Sequence, residues 1–253
     1  GSIKHRTDKI PVFDGERFRE KSVTYNPAFL KIFDEIVSNS VDEHRRHPKK
    51  LNKIDVLINP DKGAILVKDN GGIVVDKHPE HNEWIPELIF SNLKAGSNFD
   101  DSEERLVAGT NGVGSTLTNI FSKTFRVKTC DGKKHFSQQF DNNMTERRAA
   151  EVSKSKRKSG YTEIAFIPDF ERFEMNLIDE DHMTMLQKRV IDLAACNPKL
   201  KVTFNKTDHT FKSFKDYCEL YAPDVIYEEH DRWKVGIAPS NGSMQHVSFV
   251  NSV

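Results

Sequence analysis

The sequence lacks paired cysteines and any long apolar run. Its three cysteines, Cys130, Cys196 and Cys218, are widely spaced and form no C-x-x-C pair. This spacing is typical of reduced thiols in an intracellular protein and excludes a disulfide framework. No run approaches the roughly 18 apolar residues that a membrane span requires, and the N-terminus has no apolar signal region. We therefore expect a soluble protein that has no membrane partner and is not secreted.

An excess of charge of one sign is also absent. The 38 Lys and Arg residues balance 38 Asp and Glu residues. This balance excludes the global basic field of a dedicated DNA-binding domain, so any contact with nucleic acid must be local. The chain has 253 residues, of which 36% are hydrophobic, with 17 phenylalanines. Such a chain can form one large domain or one and a half.

The Walker phosphate-binding motif G-x-x-x-x-G-K-[ST] is missing as well. In contrast, residues 29–43 are strongly patterned. At about 100° per residue, their apolar side chains share one broad arc of a helix, while Glu35, Asn39 and Asp42 lie opposite. Glu35 and Asn39 are four residues apart and therefore lie on one face. The helix either has a solvated polar face or brings a carboxylate and an amide into one site.

Three glycine-containing stretches follow in the chain. Asp69-Asn-Gly-Gly72 comes after an apolar run, Gly109-Thr-Asn-Gly-Val-Gly114 precedes a helical pattern, and Gly160-Tyr-Thr162 opens a strand-like run. Taken singly, these are a tight turn, a flexible connector and an ordinary strand. Backbone N–H groups at a helix start can also cradle anions, so residues 109–114 can hold a triphosphate. Residues 94–105 are polar and lack periodicity, which predicts a mobile loop.

Together with Glu35 and Asn39, these stretches resemble the nucleotide-binding motifs of the GHKL ATPase superfamily. That superfamily includes DNA gyrase and other type II topoisomerases, ninety-kilodalton heat-shock chaperones, sensor histidine kinases and MutL. The sequence in and around these motifs is similar to that of the ATPase domain of type IIA DNA topoisomerases, closest to the eukaryotic and T-even-phage large-subunit kind. The segments that carry this narrower resemblance are 31–36, 111–114, 119–122 and 249–252.

The resemblance implies a role for each motif residue. Glu35 is the catalytic base, Asn39 supplies a metal ligand, and Asp69 accepts a hydrogen bond from adenine. The implied nucleotide-binding residues are Asn39, Asp69, Gly71, Ser97, Asn98, Asn111, Gly112, Val113, Gly114 and Thr162. Two departures from the family pattern stand out. The family motif Asp-x-Gly-x-Gly is shortened to Asp-x-Gly-Gly, so the resemblance assigns no nucleotide-binding role to Gly72. Thr116 stands where the eukaryotic enzymes carry a lysine.

The implied fold is α+β: a two-layer α/β sandwich of the GHKL (Bergerat) ATPase type, with a mixed, mostly antiparallel sheet and helices on one face. Residues 1–210 are expected to form the ATP-binding domain with a partial N-terminal arm. Residues 211–253 are expected to begin a truncated transducer domain. The family's N-terminal strap and its Gln-Thr-Lys loop are expected to lie outside these residues.

Local patterns predict the individual elements. Residues 54–58 and 64–68 alternate around turn residues and predict a hairpin, and residues 125–129, 135–140 and 161–167 predict further strands. Residues 82–93 and 181–196 predict helices, 201–204 a strand, and 3–28 an arm or an edge strand. Residues 145–159 are rich in Lys and Arg and predict a loop, which is either solvated or in contact with DNA.

The function that the resemblance implies is ATP binding and hydrolysis, with ATP and Mg²⁺ as cofactors. ATP would drive dimerisation of two such domains and close a gate for DNA strand passage. The partners are then DNA through the full-length enzyme, a second copy of the domain, and other topoisomerase domains or subunits. The expected location is bacterial cytoplasm for a phage protein and the nucleus for a eukaryotic one. The alternatives are a MutL-like GHKL ATPase, or a nucleotide-binding dimerisation module with little hydrolysis.

Overall fold

The fold is a mixed sheet with helices against one face. A computed structural model describes residues 2–92, 113–240, 242 and 244–252. The strands are β1 (Arg6–Phe13), β2 (Phe18–Tyr25), β3 (Lys53–Asn59), β4 (Ala64–Asp69), β5 (Ser122–Cys130), β6 (Lys134–Asp141), β7 (Glu146–Arg147), β8 (Glu151–Lys154), β9 (Tyr161–Pro168), β10 (Lys201–Phe204), β11 (Thr207–Asp208), β12 (Ile226–His230) and β13 (Trp233–Ile237). The helices are α1 (Pro27–Arg46), α2 (Ile85–Ser91), α3 (Gly114–Ile120), α4 (Glu180–Cys196) and α5 (Phe214–Glu219), with a 3₁₀ turn at Phe170–Phe173.

The main sheet has nine strands in the order β11-β10-β3-β4-β9-β5-β6-β7, and β8 also pairs with β6. Strands β3 and β10 run parallel, while the other pairs described in this sheet are antiparallel. The expected α+β architecture is therefore confirmed. Within the described ranges, no helix combines the length and apolar character that crossing a bilayer requires.

The hydrophobic core lies between this sheet and the helices. Since successive strand side chains point to opposite faces, alternate residues of each central strand are buried. They pack against the apolar side of α1 and α4 in one continuous cluster. Each fully buried large aliphatic or aromatic side chain contributes about 1.5–3 kcal/mol. The same alternation turns Asp69, Thr129 and Thr162 toward the helices, where they are buried too.

Helix α1 includes the whole patterned stretch 29–43 and begins and ends at residues suited to helix termini. The side chain of Asn26 accepts a hydrogen bond of 3.0 Å from the backbone N–H of Phe29, and Pro27 occupies the first turn. Both residue types are favoured at a helix start. Three basic residues in the last turn, His44, Arg45 and Arg46, suit the negative end of the helix dipole. The cap therefore fixes where α1 begins.

The second predicted helix begins later than its pattern suggests. Asn82 has a φ of 53°, and the N–H of His78 donates to the carbonyl of Glu83 at 2.8 Å. This closed loop delays α2 until Ile85, and α2 ends at Ser91. The predicted residue 93 lies outside the described residues. The inward placement of Trp84, Leu88 and Ile89 is confirmed, because all three pack against the core or are buried in it.

Two polar segments, one predicted as a loop and one as an arm or an edge strand, contain strands. Within the basic segment 145–159, β7 and β8 pair with β6 and extend the sheet edge. The prediction for residues 3–28 is an arm or an edge strand. Residues 6–25 form a hairpin of β1 and β2 that makes its own two-stranded sheet, so they are not an edge strand of the main sheet, and the arm alternative remains. This hairpin lies on α4, where the N–H of Thr24 donates to Oδ2 of Asp181 at 2.9 Å. These strands are polar and give a weak sequence signal, because pairing with neighbouring strands, rather than their composition, orders them.

The C-terminal part of the described chain forms a second small structure. Strands β12 and β13 pair with each other in a two-stranded sheet. Helix α5 carries a capping box between Ser213 and Asp216. Further along, the ring of Phe249 makes edge contacts with those of Phe214 and Tyr217, at centroid distances of 6.4 and 6.0 Å. These aromatic contacts dock residues 244–252 against α5.

Candidate functional site

The polar face of α1 carries the first pair of candidate residues. The side chain of Glu35 is 28% exposed, and its Oε1 lies 2.8 Å from Nζ of Lys31, one helical turn earlier. Asn39 lies one turn later on the same face and is exposed. The ion pair holds one carboxylate oxygen of Glu35, so Oε2 is the oxygen left to act on a ligand. The predicted pairing of Glu35 with Asn39 on one face is confirmed.

The start of α3 packs directly against this carboxylate. A Cβ atom built on Gly114 would overlap Oε2 of Glu35 and would lie 2.5 Å from its Cδ. Any side chain at position 114 would therefore displace Glu35. Val113 is the half-buried N-cap residue of α3. The structure thus brings together Glu35, Val113 and Gly114, which are distant in sequence.

Hydroxyl and amide side chains hold α3 in this position. Thr118 donates to the carbonyl of Ile32 on α1 at 3.0 Å, and Ser115 donates to the carbonyl of Ile89 on α2 at 3.0 Å. Thr116 is fully buried and donates to the carbonyl of Asn92 at 3.1 Å. Thr116 therefore braces the end of α2 and contributes no positive charge to the site.

The second candidate centre is Asp69, at the C-terminal end of β4. Its side chain is 8% exposed. Oδ2 accepts a hydrogen bond of 2.7 Å from Oγ of Ser40, and Oδ1 accepts one of 2.9 Å from the N–H of Gly71. Burial raises the pKa of Asp69 above the usual aspartate range, while these hydrogen bonds act in the opposite direction. The carboxylate is thus fixed in orientation and directly linked to α1.

Gly72 is required by the packing of the backbone behind Asp69. Its φ is +86°, and a Cβ there would overlap the carbonyl oxygen of Cys130 and lie 3.0 Å from Cα of Gly160. No other residue type fits this close approach without strain. The shortened motif therefore uses its second glycine to bring the Asp69 turn against the start of β9.

Thr162 lies beside Asp69 across the sheet. Asp69 and Thr162 are register partners, and Thr162 is in turn the partner of Thr129 on β5. The two threonine Oγ1 atoms are 3.2 Å apart. Thr129 also donates to the carbonyl of Tyr161 at 2.9 Å and accepts from the N–H of Ile73 at 2.9 Å. A row of carboxylate and hydroxyl groups therefore lines this end of the sheet.

Sequence reasoning did not identify Lys31, Ser40 or Thr129 as site residues. Lys31 stands four residues before Glu35, which is the spacing of a helical ion pair and was a usable signal. Ser40 and Thr129 had no local signal, because their partners lie 29 and 33 residues away. The remaining predicted residues, Ser97, Asn98, Asn111 and Gly112, lie outside the described residues, as does the whole of segment 93–112.

The donor set fits a small divalent cation at one position. Asn39 offers an exposed amide oxygen one helical turn from Glu35. Mg²⁺ prefers oxygen ligands and keeps several water or phosphate ligands, so a single protein oxygen is compatible with it. The buried Asp69 is already engaged by two donors and is instead suited to accept a hydrogen bond from a neutral N–H group.

Comparisons with known proteins agree with this geometry. A scan against models of protein families found no match. The chain is 38% identical over its whole length to DNA topoisomerase 2 of Pisum sativum and 40% identical to DNA topoisomerase 2 of Acanthamoeba polyphaga mimivirus. It spans only 18% and 21% of those two proteins.

A solved structure matches the whole chain and is itself covered over a larger share of its length. The ATPase region of Saccharomyces cerevisiae topoisomerase II superposes with a TM-score of 0.95 and 36% identity, over 100% of this chain and 69% of that one. These similarities favour the topoisomerase interpretation over the MutL-like alternative. The chain belongs to the family of type II DNA topoisomerase N-terminal ATPase regions.

Proposed function

We propose that this chain binds ATP and hydrolyses it, as the ATPase domain of a type II DNA topoisomerase. The observation that carries the proposal is the packing of the Glu35 carboxylate against Gly114, close to the polar face of α1. A carboxylate at the start of a glycine-opened helix stands where a water can be aligned with a bound phosphate. Family membership supports the choice of ATP.

In this proposal Glu35 acts as the general base. Lys31 holds Oε1 at 2.8 Å, so Oε2 is the atom that accepts the proton from the attacking water. Val113 and Gly114 contribute backbone at the γ-phosphate end, and the family resemblance assigns Asn111 and Gly112 to phosphate binding. Positioned proton transfer contributes about 10²–10⁴-fold to a rate. The remaining acceleration comes from alignment and charge stabilisation of the phosphoryl group.

The other end of the site recognises the base. Asp69 accepts a hydrogen bond from the adenine amino group, Gly71 lets the backbone approach the ring, and Thr162 supports this arrangement from the neighbouring strand. Asn39 would hold Mg²⁺, which would neutralise phosphate charge. Ser97 and Asn98 are assigned to the ribose and phosphates by the family resemblance.

The activity of the whole protein follows from the same assignment. We expect residues 1–210 to form the ATP-binding domain and residues 211–253 to begin a transducer domain. ATP would join two copies of the domain and close a gate during DNA strand passage, in an enzyme with further domains or subunits. The relatives are eukaryotic and viral proteins, which favours nuclear or viral DNA as the substrate.

The test is calorimetric binding of a non-hydrolysable ATP analogue with Mg²⁺. Asp69→Ala removes the adenine acceptor, and we expect binding to weaken by at least about tenfold, since a lost charged hydrogen bond is worth about 1.5–3 kcal/mol. Asp55→Asn is the matched control, because Asp55 belongs to the same sheet and pairs with Lys53 at 2.8 Å. Equal binding by all three proteins would contradict the assignment.

A second arm separates hydrolysis from binding. Glu35→Gln keeps the shape of the side chain but removes the base, so we expect hydrolysis by the full-length protein to fall about 10²–10⁴-fold while analogue binding persists. If the unmutated protein and Glu35→Gln both bind the analogue and neither turns over ATP, the chain is a nucleotide-binding dimerisation module.

A further inference from the structure

Arg189 on α4 joins two separate parts of the molecule. Its Nε donates to Oδ1 of Asp34 on α1 at 2.6 Å, and one of its terminal nitrogens donates to the carbonyl oxygen of Ser252 at 2.6 Å. The side chains of Arg189 and Asp34 are only 20% and 15% exposed. Charged hydrogen bonds of this length in a half-buried setting are stronger than ordinary surface pairs. The guanidinium is therefore fixed from both ends.

Asp34 directly precedes the candidate base and shares a cation with it. Nζ of Lys31 lies 2.8 Å from Oε1 of Glu35 and 3.5 Å from Oδ2 of Asp34. Two neighbouring carboxylates thus compete for one ammonium group. Ser38 also donates to Oδ1 of Asp34 at 3.0 Å, but it carries no charge. Arg189 supplies the positive charge that satisfies Asp34 from the other helix.

We infer that Arg189 is a positioning residue for Glu35, acting through Asp34 and Lys31. Because Arg189 neutralises Asp34, Lys31 stays on Oε1 of Glu35, and Oε2 remains against Gly114. The contact with Ser252 makes this arrangement depend on how residues 244–252 are docked. The inference rests on the proposed function of Glu35 and adds a residue that acts on the base only through Asp34 and Lys31.

The experiment measures ATP hydrolysis by the full-length protein with Arg189→Gln. Without the guanidinium, Asp34 draws Lys31 away from Glu35, and we expect kcat to fall about five- to tenfold, as for a modest misplacement of a catalytic group. Analogue affinity should change by less than about twofold, because the adenine end is untouched. Lys188→Gln is the matched control: it removes the same charge one residue earlier, where Nζ pairs with Asp192 at 2.7 Å.

A second substitution distinguishes an effect through the charge of Asp34 from a simple loss of structure. In an Asp34→Asn background there is no carboxylate left to compete for Lys31, so Arg189→Gln should alter kcat by less than about twofold. Arg189→Lys keeps a cation beside Asp34 and should retain most of kcat. An equal loss of kcat in both backgrounds, or a loss with Lys as large as with Gln, overturns the inference.

Failure of the inference about Arg189 can be distinguished from failure of the proposed function. If Glu35→Gln hydrolyses ATP as fast as the unmutated protein, Glu35 is not the base, whatever Arg189 does. If Glu35→Gln is inactive while Arg189→Gln keeps full kcat, only the role of Arg189 is wrong. Thermal unfolding and analogue binding of each variant identify any loss of folded protein, in which case Arg189→Lys and the Asp34→Asn background decide.

Discussion

Oγ of Ser40 donates a hydrogen bond of 2.7 Å to Oδ2 of the buried Asp69. This bond ties α1 to the end of β4, although the two residues are 29 positions apart. The helix that carries Glu35 and Asn39 is thereby held in register with the carboxylate proposed to bind adenine. This serine hydroxyl therefore adds a direct polar link between the two ends of the site to the packing of α1 on the sheet.

Replacing Ser40 by alanine should weaken nucleotide binding. The change leaves a buried carboxylate oxygen without its donor, at a cost of about 1–3 kcal/mol, so we expect the Kd for an ATP analogue to rise about fivefold or more. Titration calorimetry measures the effect. Thr203→Ala is the control, because Thr203 makes an equivalent 2.8 Å hydrogen bond to Asp55 in the same sheet. Similar Kd values for both variants would argue against the role of Ser40.

Replacing Gly114 by alanine should impair hydrolysis more than folding. The added methyl group overlaps the Glu35 carboxylate and must turn it away, so we expect at least about a hundredfold loss of kcat, as for loss of a positioned base. Overpacking typically destabilises by about 1–3 kcal/mol. ATP turnover and thermal unfolding measure the two effects.

Gly242→Ala is the matched control for that substitution, since a Cβ at Gly242 meets no atom of the described residues within 4 Å. It should leave turnover and unfolding temperature close to those of the unmutated protein. Full activity in Gly114→Ala would mean that the carboxylate does not act from the position seen here.

Stability should respond to pH through Asp69 in the direction opposite to that of most aspartates. Burial raises its folded-state pKa, so the folded protein binds the proton more tightly than the unfolded chain. Its contribution is therefore fully present below the ordinary aspartate pKa of about 3.9 and is lost as pH rises through the folded-state pKa. Asp69→Asn removes this titration.

The measurement is the free energy of unfolding of both proteins by denaturant between acidic and neutral pH. The stability of the unmutated protein relative to Asp69→Asn should decrease as pH rises above the ordinary aspartate pKa. A relative stability that increases with pH would mean that hydrogen bonds from Ser40 and Gly71 outweigh burial, and that the pKa of Asp69 is lowered in the folded state.

Local patterns in the sequence were enough for the elements that carry the site. The apolar arc of residues 29–43 predicted α1, and the alternation around residues 59–63 predicted the β3–β4 hairpin, because helix and strand periodicities are local properties. Prediction was poorer for β7, β8 and the β1–β2 hairpin. Those strands are polar, and only pairing with neighbours or packing on α4 orders them.

The sequence by itself determined that Glu35 and Asn39 share a helical face and that Asp69 ends a strand, since short-range geometry follows from backbone periodicity. It also indicated the family through the residues of its motifs. Only the tertiary structure decided that Oε2 of Glu35 meets Gly114, that Ser40 anchors Asp69, and that Arg189 reaches both Asp34 and Ser252. These contacts join residues far apart in the chain, and they form only when the shared core packs α1, α3 and α4 against one another and the sheet.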